Sequence, residues 1–343
     1  MKKVIILMVV MLAATCLMAE TNFYGSLRTG WWYTMENEDY SDSGEANFDF
    51  ALNSYSGSRV GMDYTKDGFT AKIEMGLGES NVSLRHAYGE QDLGMFKVLI
   101  GRTYSGFSDF AAQGYGPNSD IYLSGYGMMY DGVNTQIRFT LPNSVYISLI
   151  QPKKMPFISG TYSNDMDAVI PKINVGMHYK LGEMDLHPTF GFAMAKYNED
   201  ESTYDESIIA YAFALTGKND LNNIKLQWQI GFGQNIDDYG FCTRTENSDA
   251  QWINDEIVNA TTISAYLQGM YDAFTFGGGY VMDNNDELDD ADATMTLFGQ
   301  YKIKLGNICV MPEIGMINYM EDGMGEKEGN VMYFGTQLRV SIP

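Results

Sequence analysis

The chain has 343 residues, with 22 Lys and Arg against 44 Asp and Glu, and a formal net charge of -22 at pH 7. That balance excludes nucleic acid as a partner, because such binding rests on clustered basic side chains that neutralise phosphates. Three cysteines (Cys16, Cys242 and Cys309) are too few to staple a chain of this length, so packing and backbone pairing have to hold it.

In chain order, Met1-Lys2-Lys3 and the apolar run 4–12 read as the charged and hydrophobic parts of a secretory leader, and Leu17-Met18-Ala19 supplies a cleavage site. The run is shorter than the ~20 residues a membrane anchor needs. A lipoprotein through Cys16 is the competing reading, although Thr15 is bulkier than the small residue such sites want. Residues 1–19 are therefore expected to be a signal peptide and 20–343 one domain. Beyond residue 19 no apolar run is long enough for a spanning helix. An exported chain of this kind is periplasmic, extracellular or an outer-membrane barrel. Aromatics make up 13%, with 24 Tyr and 36 Gly against only 8 Pro, which suits a closed sheet with aromatic girdles.

Apolar and polar residues alternate along nearly all of the mature chain, the mark of strands with two different faces. Phe69, Ala71, Ile73 and Met75 alternate with Thr70, Lys72 and Glu74, and Ile224, Leu226, Trp228 and Ile230 with Lys225, Gln227 and Gln229. Sixteen strands are expected, near 22–34, 46–65, 68–78, 80–90, 93–103, 128–141, 144–151, 169–181, 185–196, 205–217, 222–235, 257–272, 273–283, 291–304, 308–319 and 331–342. Every second junction is tight, as at Lys66-Asp67-Gly68, Gln91-Asp92, Pro142-Asn143, Gly182-Glu183, Lys218-Asn219-Asp220, Asp272-Ala273 and Gly306-Asn307. The intervening junctions are mostly long and polar. A soluble sandwich also alternates but has no reason to sort its loops by length, whereas an outer-membrane barrel does.

The stretch 82–116 is the most informative. Val82-Ser-Leu-Arg-His-Ala-Tyr88 and Phe96-Lys-Val-Leu-Ile-Gly-Arg102 flank a short turn, and the alternation then stops in the Gly-, Ser-, Tyr- and Asp-rich segment 103–127, a candidate constriction. Leu84-Arg85-His86-Ala87-Tyr88 and Gly101-Arg102-Thr103-Tyr104, with Asp109 beyond, resemble the approach to the inward-folded third loop of Gram-negative trimeric porins, including the DcaP-like group. The resemblance implies a cell outer-membrane location and a homotrimer. It also implies a basic cluster of Arg102, Arg59 and Arg85 facing Asp109 and Asp120. By strict alternation Arg102 shares a phase with Val98 and Ile100, so a bulge or strand end at Gly101 is needed to turn it inward. The closing Gly335-Thr-Gln-Leu338-Arg-Val340 is similar to the terminal strand of outer-membrane proteins, departing from it at Pro343. The connection near Glu79-Ser80 is short where several members of that family latch onto a neighbour.

With apolar side chains facing lipid, the other phase collects Arg28, Arg59, Lys72, Arg85, Arg138, Lys172, Lys225, Lys302 and Arg339, with fewer acids such as Asp63 and Glu74. Acids gather in the long loops, at 36–39, 199–201 and 283–292. There they are solvated tips or bridge to lipopolysaccharide through divalent cations, the solvated reading being preferred. The run from Asp283 lacks the central Gly and spaced Glu of a calcium loop. His86, His178 and His187 show no metal-ligand spacing, and His86 falls on the lipid phase. No nucleophile–base pair, phosphate loop or cofactor motif is present, so no enzyme, catalytic residue, metal or cofactor is expected. The reading is an all-β protein, a transmembrane antiparallel β-barrel of about 16 strands with an inward-folded third loop, passing small hydrophilic solutes and ions and contacting outer-membrane lipid. Its constriction and lumen residues are Arg59, Arg85, Arg102, Asp109, Asp120, Arg28 and Arg138. A weak preference for anions is expected. A substrate-selective channel, a non-conducting structural or adhesive barrel and a soluble sandwich are the alternatives.

Overall fold

A computed structural model describes residues 21–41, 47–54, 57–78, 81–109, 111–117, 122–152, 166–197, 207–241, 248–253, 256–285 and 290–342. The expected leader at 1–19, Cys16, Cys242, Asp120, the acidic stretches 199–201 and 286–289, and Pro343 lie outside these residues. Sixteen antiparallel staves form one closed sheet. The first eight are β1 (Thr21–Glu36), β2 (Asn47–Ser54, then Arg59–Lys66), β3 (Phe69–Leu77), β4 (Val82–Asp92), β5 (Lys97–Tyr104), β6 (Val133–Thr140), β7 (Val145–Ile150) and β8 (Met166–Ala168, Lys172–Met177 and Tyr179–Leu181). The second eight are β9 (Met184–Tyr197), β10 (Ser207–Leu221), β11 (Ile224–Gln234), β12 (Ala260–Tyr271), β13 (Phe274–Asn285), β14 (Asp292–Tyr301, then Ile303–Leu305), β15 (Ile308–Glu321) and β16 (Lys327–Ile342). Each pairs with its sequence neighbours, and β16 returns to β1 in register from Gly25↔Ile342 to Glu36↔Val331. Closure removes every free sheet edge, which a sheet in hydrocarbon requires.

The short turns carry their own chemistry. Asp67, Gly68, Gly94, Ser144, Gly182, Asn222, Asp272 and Gly306 all adopt positive φ, the conformation that two-residue hairpins demand. The expected turn at 218–220 is displaced. Lys218, Asn219 and Asp220 stay in the ladder opposite Gln227, Leu226 and Lys225, and the chain reverses at Asn222. The long connection after β11 also contains a one-turn helix, α1 (Ile236–Tyr239), and a small hairpin of Gln251–Ile253 with Glu256–Val258.

Polarity is inverted relative to a soluble fold. Ile209, Phe213, Ile230, Phe232, Ile263 and Leu267 are exposed on the outside, while Gln229, Thr262, Ser264 and Gln268 are buried on the inside. Withdrawing one such apolar side chain from water is worth about 1.5–3 kcal/mol, a gain this wall collects only in lipid. No helix among the described residues is long and apolar enough to cross a membrane. The strands supply the apolar belt instead.

Candidate functional site

The described parts of segment 105–132 (105–109, 111–117 and 122–132) lie against inward-facing side chains of the wall. The segment leaves β5 through a 3-10 turn at Gly106–Ser108, and most of its described residues are buried. Hydrogen bonds fix it to the inward phase of one staff after another. The Gly106 N–H donates to Asn174 Oδ1 of β8 (3.2 Å), the Met129 N–H to Gln229 Oε1 of β11 (2.6 Å), and the Gln113 N–H to Gln268 Oε1 of β12 (3.1 Å). Gln300 on β14 donates back to the Gln113 carbonyl at 3.1 Å. Glycine in β13 allows a close approach: a Cβ at Gly279 would lie 2.0 Å from the Tyr126 carbonyl oxygen.

Glu313 on β15 is the strongest anchor. Its buried carboxylate accepts from the Tyr115 N–H (2.8 Å), the Gly116 N–H (3.0 Å), Gln300 Nε2 (2.7 Å) and the Tyr333 hydroxyl (3.0 Å). Arg339 on β16 donates to the Tyr115 hydroxyl at 3.0 Å, and Trp32 on β1 packs in one cluster with Tyr115. The described residues of the segment thus contact inward side chains on β8, β11, β12, β14, β15, β16 and β1. Reading sequence alone missed Glu313, although its alternation with Pro312 and Ile314 already aimed it inward. A single acid among apolar neighbours carries no signal of what it will bind.

The wall of β2 to β7 is dressed differently. Glu74 on β3 is buried and accepts from Arg85 Nε (2.8 Å) and from the Tyr24 hydroxyl (2.7 Å). Arg59 Nη1 stands 3.8 Å and Lys72 Nζ 3.9 Å from the same carboxylate. A bulge makes this cluster. The β3–β4 register steps from Glu74↔His86 to Met75↔Leu84, leaving Arg85 as the extra residue. Arg85 and His86 therefore both point inward, and His86, expected toward lipid, is buried with its Nδ1 3.1 Å from Thr103 Oγ1. Arg138 donates to the Tyr104 carbonyl (2.8 Å) and to Ser148 Oγ (3.0 Å), and lies 4.9 Å from the Tyr146 ring centroid. Arg28 is buried between Ser26 and Ser58, opposite Arg339 across the barrel seam.

Two expected contacts are not formed. Arg102 stays on the outward phase opposite Ala87, and its Nε donates to the Leu84 carbonyl at 3.0 Å. The cause is local: β5 pairs with β4 only as far as Ala87, so the Leu84 carbonyl lacks a strand partner there and Arg102 supplies one. Gly101 does adopt φ +131°, but Thr103, not Arg102, turns to the inside. Asp109 does not face the arginines either. Its Oδ2 lies 2.5 Å from Lys218 Nζ on β10, and its Oδ1 is 3.8 Å from His187 Nδ1 on β9. The acid that does meet Arg59 and Arg85 is Glu74, on the wall itself.

The fold is a closed sixteen-stranded antiparallel β-barrel with an apolar belt outside and a polar wall inside. No family model and no curated protein matches the chain. Solved structures share its fold. The outer membrane channel DcaP of Acinetobacter baumannii is 16% identical, with TM-score 0.69, over 94% of this chain and 97% of that one. OmpT of Vibrio cholerae in its trimer form is 16% identical, with TM-score 0.61, over 94% and 99%. The anion-selective porin from Comamonas acidovorans is 14% identical, with TM-score 0.56, over 94% and 99%.

Proposed function

We propose that this chain is an outer-membrane porin that passes small hydrophilic solutes and ions by diffusion. The observation that carries the reading is the inner wall, whose side chains hold a loop on one side and carry charge on the other. Segment 105–132 acts as the inward-folded third loop, and the water-filled passage runs between it and the wall of β2 to β7. Arg59, Lys72 and Arg85 gather on the carboxylate of Glu74, and Lys72 also pairs with Asp63 at 3.4 Å, so three cations against two carboxylates leave this stretch of wall positive and favour anions. Arg28 and Arg138 extend the basic strip, and Asp109 belongs to the loop's own anchoring. The short turns face the periplasm, the long loops face outward toward lipopolysaccharide, and three copies assemble, as in the trimer form of OmpT.

Planar-bilayer recording of the purified protein in a salt gradient tests this. Stable conductance steps with a reversal potential on the anion side are expected. Absence of conductance would leave a structural barrel, and saturable block by one solute would make the channel substrate-selective. A cation-side reversal potential overturns the selectivity.

A further inference from the structure

Close to Asp109 the lumen holds two imidazoles, His178 and His187, that neither the wall nor the proposed passage accounts for. His178 and His187 lie opposite each other in the β8–β9 pair, between the partners Tyr179↔Leu186 and Gly176↔Thr189. Their rings stack at 4.0 Å between centroids with 15° between planes. Asp109 comes from the segment at the end of its 3-10 turn, and one ligand atom from each of the three lies within 4.8 Å of the others. All three border a cavity of about 360 Å³ that also reaches Tyr88, Glu90 and Arg138. His187 is buried, and its Nδ1 has no hydrogen-bond partner. Its Nε2 sits 3.0 Å from the Tyr146 hydroxyl. When Nε2–H donates to Tyr146, Nδ1 is left as a bare lone pair aimed at Asp109 Oδ1, 3.8 Å away.

In that tautomer two lone-pair atoms face each other across a buried gap, which a cation fills. From this geometry we propose that Asp109, His178 and His187 form a binding site for a divalent transition-metal ion of the zinc class. Two imidazoles with one carboxylate select such an ion over calcium or magnesium, which take oxygen ligands. Lys218 occupies Asp109 Oδ2, so the carboxylate binds through Oδ1 alone. Zinc ligands at ~2.0–2.1 Å stand about 3.4 Å apart in a tetrahedron. The exposed His178 swings in to close the set, with water taking the open position. Tyr146 orients the buried imidazole from behind. Binding ties the segment to β8 and β9, and the Lys218 ammonium beside it weakens the site.

Equilibrium dialysis of the detergent-purified chain against Zn²⁺, in excess Mg²⁺ to occupy all-oxygen acidic clusters, tests the site without reference to conductance. One Zn²⁺ per chain is expected. His178→Ala, which removes the exposed imidazole of the set, weakens binding ~tenfold or more, about 1.4 kcal/mol. Lys218→Met strengthens it by removing the competing ammonium. Failure to retain Zn²⁺ in excess Mg²⁺ overturns the proposal, as does unchanged affinity in His178→Ala. A Lys218→Met protein that binds no more tightly removes Asp109 from the ligand set, and the site as stated fails with it.

Discussion

The two sides of the inner wall obey the same alternation and use it for different ends. From β8 to β14 the anchoring side chains are largely neutral amides such as Asn174, Gln229, Gln268 and Gln300, each spent on the backbone of segment 105–132. Between β2 and β7 the inward residues include Arg59, Lys72, Glu74, Arg85 and Arg138. An amide satisfies a buried backbone group without carrying a charge into a dry contact, whereas a charge is tolerated only beside water or a counter-charge. The contrast separates a wall whose inward side chains hold a loop from one whose inward side chains carry charge. Charges on the covered side come with partners: Lys218 meets Asp109, Lys172 lies 3.8 Å from Asp131, and Glu313 draws four donors onto one carboxylate.

Breaking the covered side should have the largest effect. Glu313→Leu strips the acceptor from the Tyr115 and Gly116 N–H groups, and hydrogen bonds to a charged group are worth about 1.5–3 kcal/mol each. Because these losses are not additive, a total on the order of 3–5 kcal/mol is expected. A lower thermal midpoint in detergent and an enlarged, noisier conductance would register it. Unchanged conductance with the stability loss would mean that the segment does not narrow the passage.

The bare side can be sharpened by charge. Glu74→Gln should move the reversal potential toward anions and Arg85→Gln toward cations, while Arg102→Gln, on the outward phase, leaves it unmoved. A unit charge ~8 Å from a passing ion in water contributes about 0.5 kcal/mol, or roughly a twofold change in permeability ratio. Equal shifts from Arg85 and Arg102 would contradict the phase change at the bulge.

A smaller effect is expected at the long connection after β11. Burial raises the Asp249 carboxyl to about 6, and neighbouring Asp238 is pushed up by the same cause. A raised carboxyl stabilises the fold when protonated, so the contribution is complete below pH 4 and disappears as pH rises through about 6. Partial exposure reduces it to about 1 kcal/mol. Hydrogen exchange at the Ala250 N–H, which donates to Asp238 Oδ2 at 2.9 Å, should quicken between pH 5 and pH 7 beyond the intrinsic rate change. No excess acceleration would show that the loop is indifferent to these groups.

What the sequence shows of this fold divides along physical lines. Sixteen strands, the alternation of short and long connections and the two-faced wall were legible, because a period of two and turn residues such as Asp67-Gly68 are properties of neighbouring residues. Arg28, Arg59, Arg85 and Arg138 followed from phase alone. The bulge was not legible: one extra residue at Arg85 reverses the facing of everything after it, so His86 turned inward while Arg102 remained outside. Contacts between distant residues were hidden as well. Glu313 meets Tyr115 across 198 positions, and Asp109, His178 and His187 converge from a loop and two staves. The chain's own order specifies which face each residue of a regular strand presents, since the pleat allows only two. Where an irregular segment lies, and which side chains it brings within reach of one another, is decided by the closed barrel, because only closure puts opposite walls within hydrogen-bonding distance of the same loop.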